Sequence, residues 1–113
     1  MNQPFSHTDA TGQARMVDVS AKDVTRRVAE ASCRVHASLD VGAPATIGEV
    51  DQVLAARLAG INAAKQTATL IPLCHPLNLE QVRVEIARTD DGYSVTSSVV
   101  SVTRTGVEME ALT

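Results

Sequence analysis

The sequence has almost no aromatic residues: no tryptophan, one phenylalanine and one tyrosine among 113 residues. A core must therefore be built from the aliphatic side chains that make up most of the 44% hydrophobic content. Small aliphatic side chains each bury little area, and burial stabilises by only about 25 cal/mol per Å², so such a core is thin for a domain of this length. We expect a single domain over residues 1–113 that gains stability by forming a homo-oligomer.

The sequence also lacks a strong excess of charge. Ten Lys and Arg residues against 13 Asp and Glu residues give a net charge of −3, and the pI is about 5.5. This balance argues against a general nucleic-acid binder or a membrane-surface protein. No apolar run has transmembrane length and no signal-peptide pattern follows Met1, so we expect a cytoplasmic protein with reduced cysteines.

Hydrophobic alternation predicts the first half of the sheet. Residues Met1–Gln13 are polar and are expected to form a flexible arm. Arg15–Val19 alternates as a short strand does, and a turn is expected at Ser20–Asp23. Val24–Ala37 is predicted to be a half-buried strand with period two. Its core face would carry Arg27, Ala29, Ala31, Cys33, Val35 and Ala37.

A long helix is predicted after a loop at Asp40–Ala45. Thr46 and Glu49 have capping-box spacing, and a helical pattern continues to about Thr67. One stripe would carry Val50, Leu54, Leu58, Ile61 and Ala64, with Arg57 and Lys65 inside it. The other side carries small residues, including Ala55, Ala59, Gly60 and Ala63, which we expect at or near a close contact with another helix or subunit.

The two cations on this apolar stripe have alternative explanations. They could extend to solvent at its ends or pair with core carboxylates. They could instead form an anion pocket between helix and sheet, with a ligand as the partner.

The second half of the chain predicts two further strands and the start of a helix. Val82–Ile86 alternates with charged residues, Thr89–Gly92 has hairpin turn chemistry, and Tyr93–Thr103 is rich in β-branched residues. Arg104–Thr113 has the composition of a first helical turn. Its carboxylates at positions 108 and 110 could serve the helix dipole, or could bind N–H groups of a ligand and transfer protons.

Two prolines fix the segment Leu70–Leu77. Pro72 and Pro76 forbid regular structure, and the apolar residues Leu70, Ile71, Leu73 and Leu77 are expected to hold the segment to the core. Cys74 and His75 would then be held in one orientation. The histidine could take part in chemistry, or it could only satisfy a backbone carbonyl.

A zinc site is an alternative use of these cysteines and histidines. Cys33-x-x-His36 could be combined with the adjacent Cys74 and His75. In a strand, however, residues i and i+3 point to opposite faces, so the first pair could not share a metal. No metal site is predicted.

Five blocks of sequence resemble the cyclic pyranopterin monophosphate synthase (MoaC) family of molybdenum-cofactor biosynthesis, in one order along almost the whole chain. The blocks are Met16-Val17-Asp18-Val19-Ser20-Ala21-Lys22, Ala56-Arg57-Leu58-Ala59-Gly60-Ile61, Ala63-Ala64-Lys65, Leu70-Ile71-Pro72-Leu73-Cys74-His75-Pro76-Leu77 and Thr105-Gly106-Val107-Glu108-Met109-Glu110-Ala111-Leu112-Thr113. The resemblance implies an α+β fold with a ferredoxin-like antiparallel sheet packed against helices.

The resemblance also implies a reaction and its partners. The substrate would be 3',8-cyclo-7,8-dihydro-GTP, converted to cyclic pyranopterin monophosphate with release of diphosphate, and no cofactor is expected because proton transfer suffices. The assembly would be a trimer of dimers. By the same resemblance, Leu73, Cys74, His75, Met109 and Glu110 match substrate-contact positions. Lys65 and Glu108 join His75 as candidate catalytic residues, and Arg27, Arg57 and Arg104 are expected neighbours.

The sequence departs from the family pattern in two places. Ile47 stands where the family usually has a lysine at the start of the long helix. The family also continues past the last block through a helix bearing Tyr-Asp-Met-Cys-Lys and a final strand with Lys-Ser-Gly-Gly, so we expect a chain whose last helix and strand are truncated. An alternative is therefore a catalytically silent paralogue or assembly subunit that keeps the oligomer surface and nucleotide binding.

Overall fold

The structure is a computed structural model that describes residues 6–38 and 43–113 of the chain. Its elements follow the order strand, helix, short helix, strand, strand, short helix. They are β1 (Thr25–His36), α1 (Ile47–Lys65), α2 (Thr67–Leu70), β2 (Gln81–Thr89), β3 (Gly92–Thr103) and α3 (Glu108–Leu112). The expected α+β class is confirmed.

The three strands form one antiparallel sheet in the order β1-β3-β2. Since β1 and β2 both pair antiparallel with β3, they run in the same direction with β3 between them. Joined by α1, they form the split β-α-β unit of a ferredoxin-like sheet. The β2–β3 hairpin turns at Gly92, where φ is +150° and a Cβ atom would overlap the Val35 carbonyl.

The helices pack on the sheet face that alternation predicts. In β1, Ala29 and Ala31 are half-buried, and they pair with Val99 and Ser97 of the central strand. The expectation for Cys33, Val35 and Ala37 is wrong: these residues are exposed, because the core cluster reaches only Ala29 and Ala31 along this strand. Val99 has no exposed surface, and it forms the core with Ala64 of α1 and with Val107 and Ala111 around α3. These are small side chains, as the shortage of aromatic residues requires.

The orientation of α1 corrects the sequence-based expectation. The helix begins as predicted, because the Thr46 hydroxyl accepts the Glu49 N–H at 3.1 Å. Its sheet-facing side carries Gly60 and Ala64: a Cβ on Gly60 would lie 3.1 Å from a methyl of Val84, and Ala64 is buried in the core. Of the predicted apolar stripe, Ala64 therefore does face the core, whereas Val50, Leu54 and Leu58 are each more than half exposed. Of the predicted small side, Gly60 makes the close contact, whereas Ala55 and Ala59 are exposed. The helix approaches the sheet closely where its side chains are smallest.

Two further local expectations are wrong. Arg15–Val19 is irregular and is not a strand, although the turn that follows is present at residues 20–22. Leu70 does not hold its loop to the core, because 60% of its surface is exposed. Leu77 does pack against the core cluster. Arg15–Val19 does not join the sheet because its contact is with a loop distant in sequence: the Val17 carbonyl oxygen lies 2.5 Å from His75 Nε2.

Some expectations concern residues that the structure leaves undescribed. The proposed arm Met1–Gln13 includes residues 1–5, and the loop Asp40–Ala45 includes residues 39–42, which lie outside the described residues. Within the described part of the arm, Asp9 accepts hydrogen bonds from the backbone N–H groups of Thr11 and Gln13, both at 2.9 Å. Flexibility of the arm stays a prediction. Among the described helices, none is long and apolar enough to cross a bilayer.

Candidate active site

Three segments that are distant in sequence enclose one cavity of about 250 Å³. They are the N-terminal segment, the proline-bounded loop after α2, and the residues from Thr105 into α3. The lining residues are Ser6, His7, Val17, Val19, Lys22, Leu73, Cys74, His75, Leu77, Thr105, Gly106, Glu108, Met109 and Glu110. We refer to it below as the loop cavity.

The proline-bounded loop is held at both sides of Cys74. The Ile71 N–H donates to the Thr67 carbonyl at 2.8 Å, and the Cys74 N–H donates to the Ile71 carbonyl at 3.1 Å. His75 is then joined to the N-terminal segment, since its Nε2 lies 2.5 Å from the Val17 carbonyl oxygen. The loop therefore holds its cysteine and histidine in place, as its two prolines predict.

The short helix α3 is fixed by its buried residues. Val107 and Ala111 pack into the core, and the Ser97 hydroxyl donates to the Ala111 carbonyl at 2.5 Å. Glu108 folds back over the turn before the helix, where a Cβ on residue 106 would overlap its carboxylate. A larger residue at position 106 would therefore displace the Glu108 carboxylate from its present place beside this turn.

Glu110 is the buried carboxyl group of the loop cavity, with 6% of its surface exposed. Burial raises its pKa above the ordinary glutamate value, and the neighbouring charge of Glu108 raises it further. Burial also raises the pKa of the Cys74 thiol, again with a smaller contribution from Glu110. Cys74 is therefore a neutral thiol near pH 7, and Glu110 is suited to holding a proton.

The loop cavity offers both cationic and carboxyl groups. Lys22 supplies a permanent positive charge, and His7 and His75 can add more when protonated. Glu108 and Glu110 can accept N–H groups. Such a set can bind a molecule that carries phosphates at one end and an amino-rich ring at the other. Within residues 6–38 and 43–113, no group of three His, Cys, Asp or Glu side chains is arranged to hold a metal ion.

The structure brings together six of the residues singled out in the sequence. Leu73, Cys74, His75, Glu108, Met109 and Glu110 all line the loop cavity. They come from two segments about 30 residues apart, joined through the core at Val107.

Four predicted cations do not line the loop cavity. Lys65 is exposed at the end of α1, and Arg104 is exposed just after β3. Arg57 lines a different cavity, of about 370 Å³, between α1 and the β2–β3 hairpin, where Tyr93 donates to Glu49. Arg27 is half-buried, and its Nε has no hydrogen-bond partner in the described part of the chain. Their roles stay predictions.

The sequence did not predict that residues of the N-terminal segment would line the site. Lys22, His7 and Val17 line the loop cavity, yet none of them was a candidate from the sequence. One signal could have pointed to two of them: Val17 and Lys22 belong to the first block of family resemblance, Met16–Lys22. His7 gives no such signal. It is placed by a local turn, in which the backbone N–H of Asp9 donates to the Gln13 carbonyl at 2.8 Å.

The fold and site together define an α+β protein with a small-molecule cavity that can bind anionic and amino groups. Comparison with known families identifies residues 16–113 as matching the MoaC family. The chain belongs to the MoaC family.

Curated relatives agree with this assignment. Cyclic pyranopterin monophosphate synthase of Streptomyces griseus is 50% identical over 112 residues, which cover 96% of this chain and 63% of that protein. The proteins of the same name from Nocardioides sp. and Nostoc sp. are 51% and 50% identical, with 71% and 68% of their lengths covered. The chain thus spans about two thirds of the length of these relatives.

The raised pKa of Glu110 predicts a pH-dependent effect of Glu110→Gln on stability. The folded state holds the proton more tightly than the unfolded state, so wild-type stability falls as the pH rises through the window above the ordinary value of 4.5. The variant has no carboxylate to bury. Its melting temperature should match the wild type below that window and exceed it by a few degrees near pH 7.

Thermal unfolding followed by circular dichroism from acid to neutral pH would measure this difference, with Glu108→Gln as the matched control. Glu108 is exposed, so its variant should show a smaller dependence on pH. A Glu110→Gln protein that is less stable than the wild type at pH 7 would contradict the account.

Proposed function

We propose that this chain acts in molybdenum cofactor biosynthesis as a cyclic pyranopterin monophosphate synthase. It would convert (8S)-3',8-cyclo-7,8-dihydroguanosine 5'-triphosphate to cyclic pyranopterin monophosphate and release diphosphate, a phosphorus–oxygen lyase reaction. The observation that carries the proposal is the loop cavity, which gathers His75, Glu108 and Glu110 with Lys22 in a protein of the MoaC family. The names of the relatives support the same reaction.

The phosphate end of the substrate is assigned to the N-terminal side of the loop cavity. Lys22 is the permanent cation there, and it lies on the same segment as the Val17 carbonyl that contacts His75. A lysine binds phosphate oxygens as a compact charge with three donors. A role for Lys65, Arg27, Arg57 or Arg104 would require another copy of the chain, or further residues, to bring them to the substrate.

The ring end is assigned to α3. Glu108 can accept ring N–H groups as a carboxylate, while Glu110, whose pKa is raised by burial, can donate or take back a proton. Leu73 and Met109 supply apolar contact beside them. The rearrangement opens one ring and builds another, so several proton transfers are needed, and these side chains provide groups of different acidity.

A second function is favoured by one observation at α1. Ile47 is the first residue of that helix and is 83% exposed, where the resemblance places a lysine. A chain without that charge could bind the nucleotide without converting it. The alternative is therefore a catalytically silent paralogue or assembly subunit.

Product formation tests the two functions directly. The chain would be incubated with the cyclised GTP derivative, and cyclic pyranopterin monophosphate would be measured by mass spectrometry. The synthase assignment predicts product, reduced about 10²-fold in His75→Ala because a positioned acid–base group is lost. His36→Ala is the matched control, since that exposed histidine contacts Asp91 at 3.1 Å outside the loop cavity.

Binding without product would contradict the synthase assignment and favour the silent paralogue. Equal loss of product in both histidine variants would remove His75 from its proposed role.

We also propose that the protein is a homo-oligomer, as a trimer of dimers. The chain exposes 8116 Å², whereas a folded monomer of 11.9 kDa exposes about 6,000 Å². The excess of roughly 2,000 Å² is surface that further residues or other copies of the chain can cover, and a subunit interface of standard size fits within it. The outer stripe of α1 offers apolar surface for it, with Ile47, Val50, Leu54 and Leu58 exposed.

Light scattering should give a mass several times 11.9 kDa at micromolar concentration, and Leu58→Glu should lower that mass because it places a charge in the apolar stripe. Leu70→Glu is the matched control, since Leu70 is 60% exposed but lies outside α1. A wild-type monomer under these conditions would overturn the proposal.

A further inference from the structure

His75 is bound to the N-terminal segment through one particular ring nitrogen. Its Nε2 lies 2.5 Å from the backbone oxygen of Val17, a residue 58 positions earlier in the chain. A carbonyl oxygen can only accept a hydrogen bond, so the proton must be on Nε2. In the neutral ring the other nitrogen, Nδ1, then carries the free lone pair.

The other two histidines of the chain make their contacts through the other ring nitrogen, Nδ1. His7 contacts the Arg15 carbonyl through Nδ1 at 3.3 Å, and His36 contacts Asp91 through Nδ1 at 3.1 Å. Among the described residues, Nδ1 of His75 has no hydrogen-bond partner, although the ring lines the loop cavity. Of the three histidines, His75 is therefore the one whose Nδ1 is available as a base.

The segment that supplies the carbonyl is held by its own hydrogen bonds. Asp18 accepts the Ser20 N–H at 2.9 Å, and the Lys22 N–H donates to the Val19 carbonyl at 3.0 Å. The pKa of Asp18 is lowered mainly by its hydrogen bonds with Ser20 and further by the charge of His75. Asp18 directly follows the residue whose carbonyl oxygen contacts the ring, so its carboxylate lies on the same short segment as that contact.

We propose that residues 17–22 position His75 as a proton acceptor: Val17 fixes the Nε2–H tautomer, and Asp18 stabilises the ring after Nδ1 has taken a proton. That a bound ligand supplies this proton rests on the proposed function. An N–H or O–H bond of the ligand breaks, its electron pair stays on the ligand atom, and the proton moves to Nδ1. The resulting imidazolium returns the proton in a later step, so the cycle needs no other reactant. Val17 and Asp18 are positioning residues, because they act through the ring.

The tautomer can be tested by nuclear magnetic resonance on the whole chain without any substrate. In protein labelled with ¹⁵N and ¹³C, and with His75→Gln for assignment, the His75 ring should show a slowly exchanging Nε2–H. It should also show coupling across the hydrogen bond to the Val17 carbonyl carbon. An Nδ1–H tautomer, or a rapidly exchanging mixture like that of an exposed ring, would overturn the proposal.

The role of Asp18 is tested by Asp18→Asn, which removes the charge and keeps an oxygen that can accept the Ser20 N–H. The chemical shifts of the His75 ring nitrogens should change in this variant, because a negative charge on the segment that contacts the ring has been removed. Asp9→Asn is the matched control: Asp9 also accepts backbone N–H groups in a turn, at 2.9 Å, but it lies in the turn of residues 9–13. Ring-nitrogen shifts of His75 that are the same in the wild type and both variants would overturn the role of Asp18.

These measurements do not depend on turnover, so they separate this proposal from the proposed function. If the chain makes product, Asp18→Asn should lower kcat several-fold with KM unchanged, since Asp18 does not contact the substrate. A rise in KM at constant kcat would show that Asp18 binds the substrate and would contradict its assignment as a positioning residue.

Discussion

The packing of small side chains on Val99 is the interaction on which the rest of the structure depends. Val99 lies in the central strand with no exposed surface, and α1 and α3 reach it through Ala64, Val107 and Ala111. With so little volume between the layers, the helices approach the sheet closely. This approach places α3 beside the proline-bounded loop, and the carboxyl groups of α3 beside His75. The loop cavity is thus a consequence of a core built without large aromatic residues.

The sheet could be predicted from the sequence because its signals are local. Strict alternation identified the face of β1 that carries the half-buried Ala29 and Ala31, although it extended the core too far, to the exposed Cys33 and Val35. The turn chemistry at Thr89–Gly92 placed the hairpin. The orientation of α1 could not be predicted in the same way, because the helix is apolar on more than one side. Hydrophobic size favours the leucine stripe, whereas the fit to Val84 favours Gly60, and only the three-dimensional contact decides between them.

About half of the candidate site could be predicted, because its residues belong to local sequence motifs. The residues of the proline-bounded loop and of α3 stand out through motif resemblance, and the core brings the two segments together. Lys22 could not be identified by charge alone, because Lys65 and Arg57 are equally cationic and lie on a more regular element. Lys22 is distinguished by its segment, which is held beside the loop by the hydrogen bond between the Val17 carbonyl and His75, 58 positions apart. No periodicity in the sequence reports such a contact.

The central claim is that the loop cavity binds the phosphates of a nucleotide-derived ligand through the N-terminal segment. Calorimetry with GTP on the wild type, Lys22→Ala and the control Arg83→Ala tests it most directly, since Arg83 is an exposed cation on β2 outside the loop cavity. The account predicts affinity about 10-fold weaker or more in Lys22→Ala, as expected when a charge-assisted hydrogen bond is lost, and wild-type affinity in Arg83→Ala. Wild-type affinity in Lys22→Ala, or equal weakening in both variants, would contradict it.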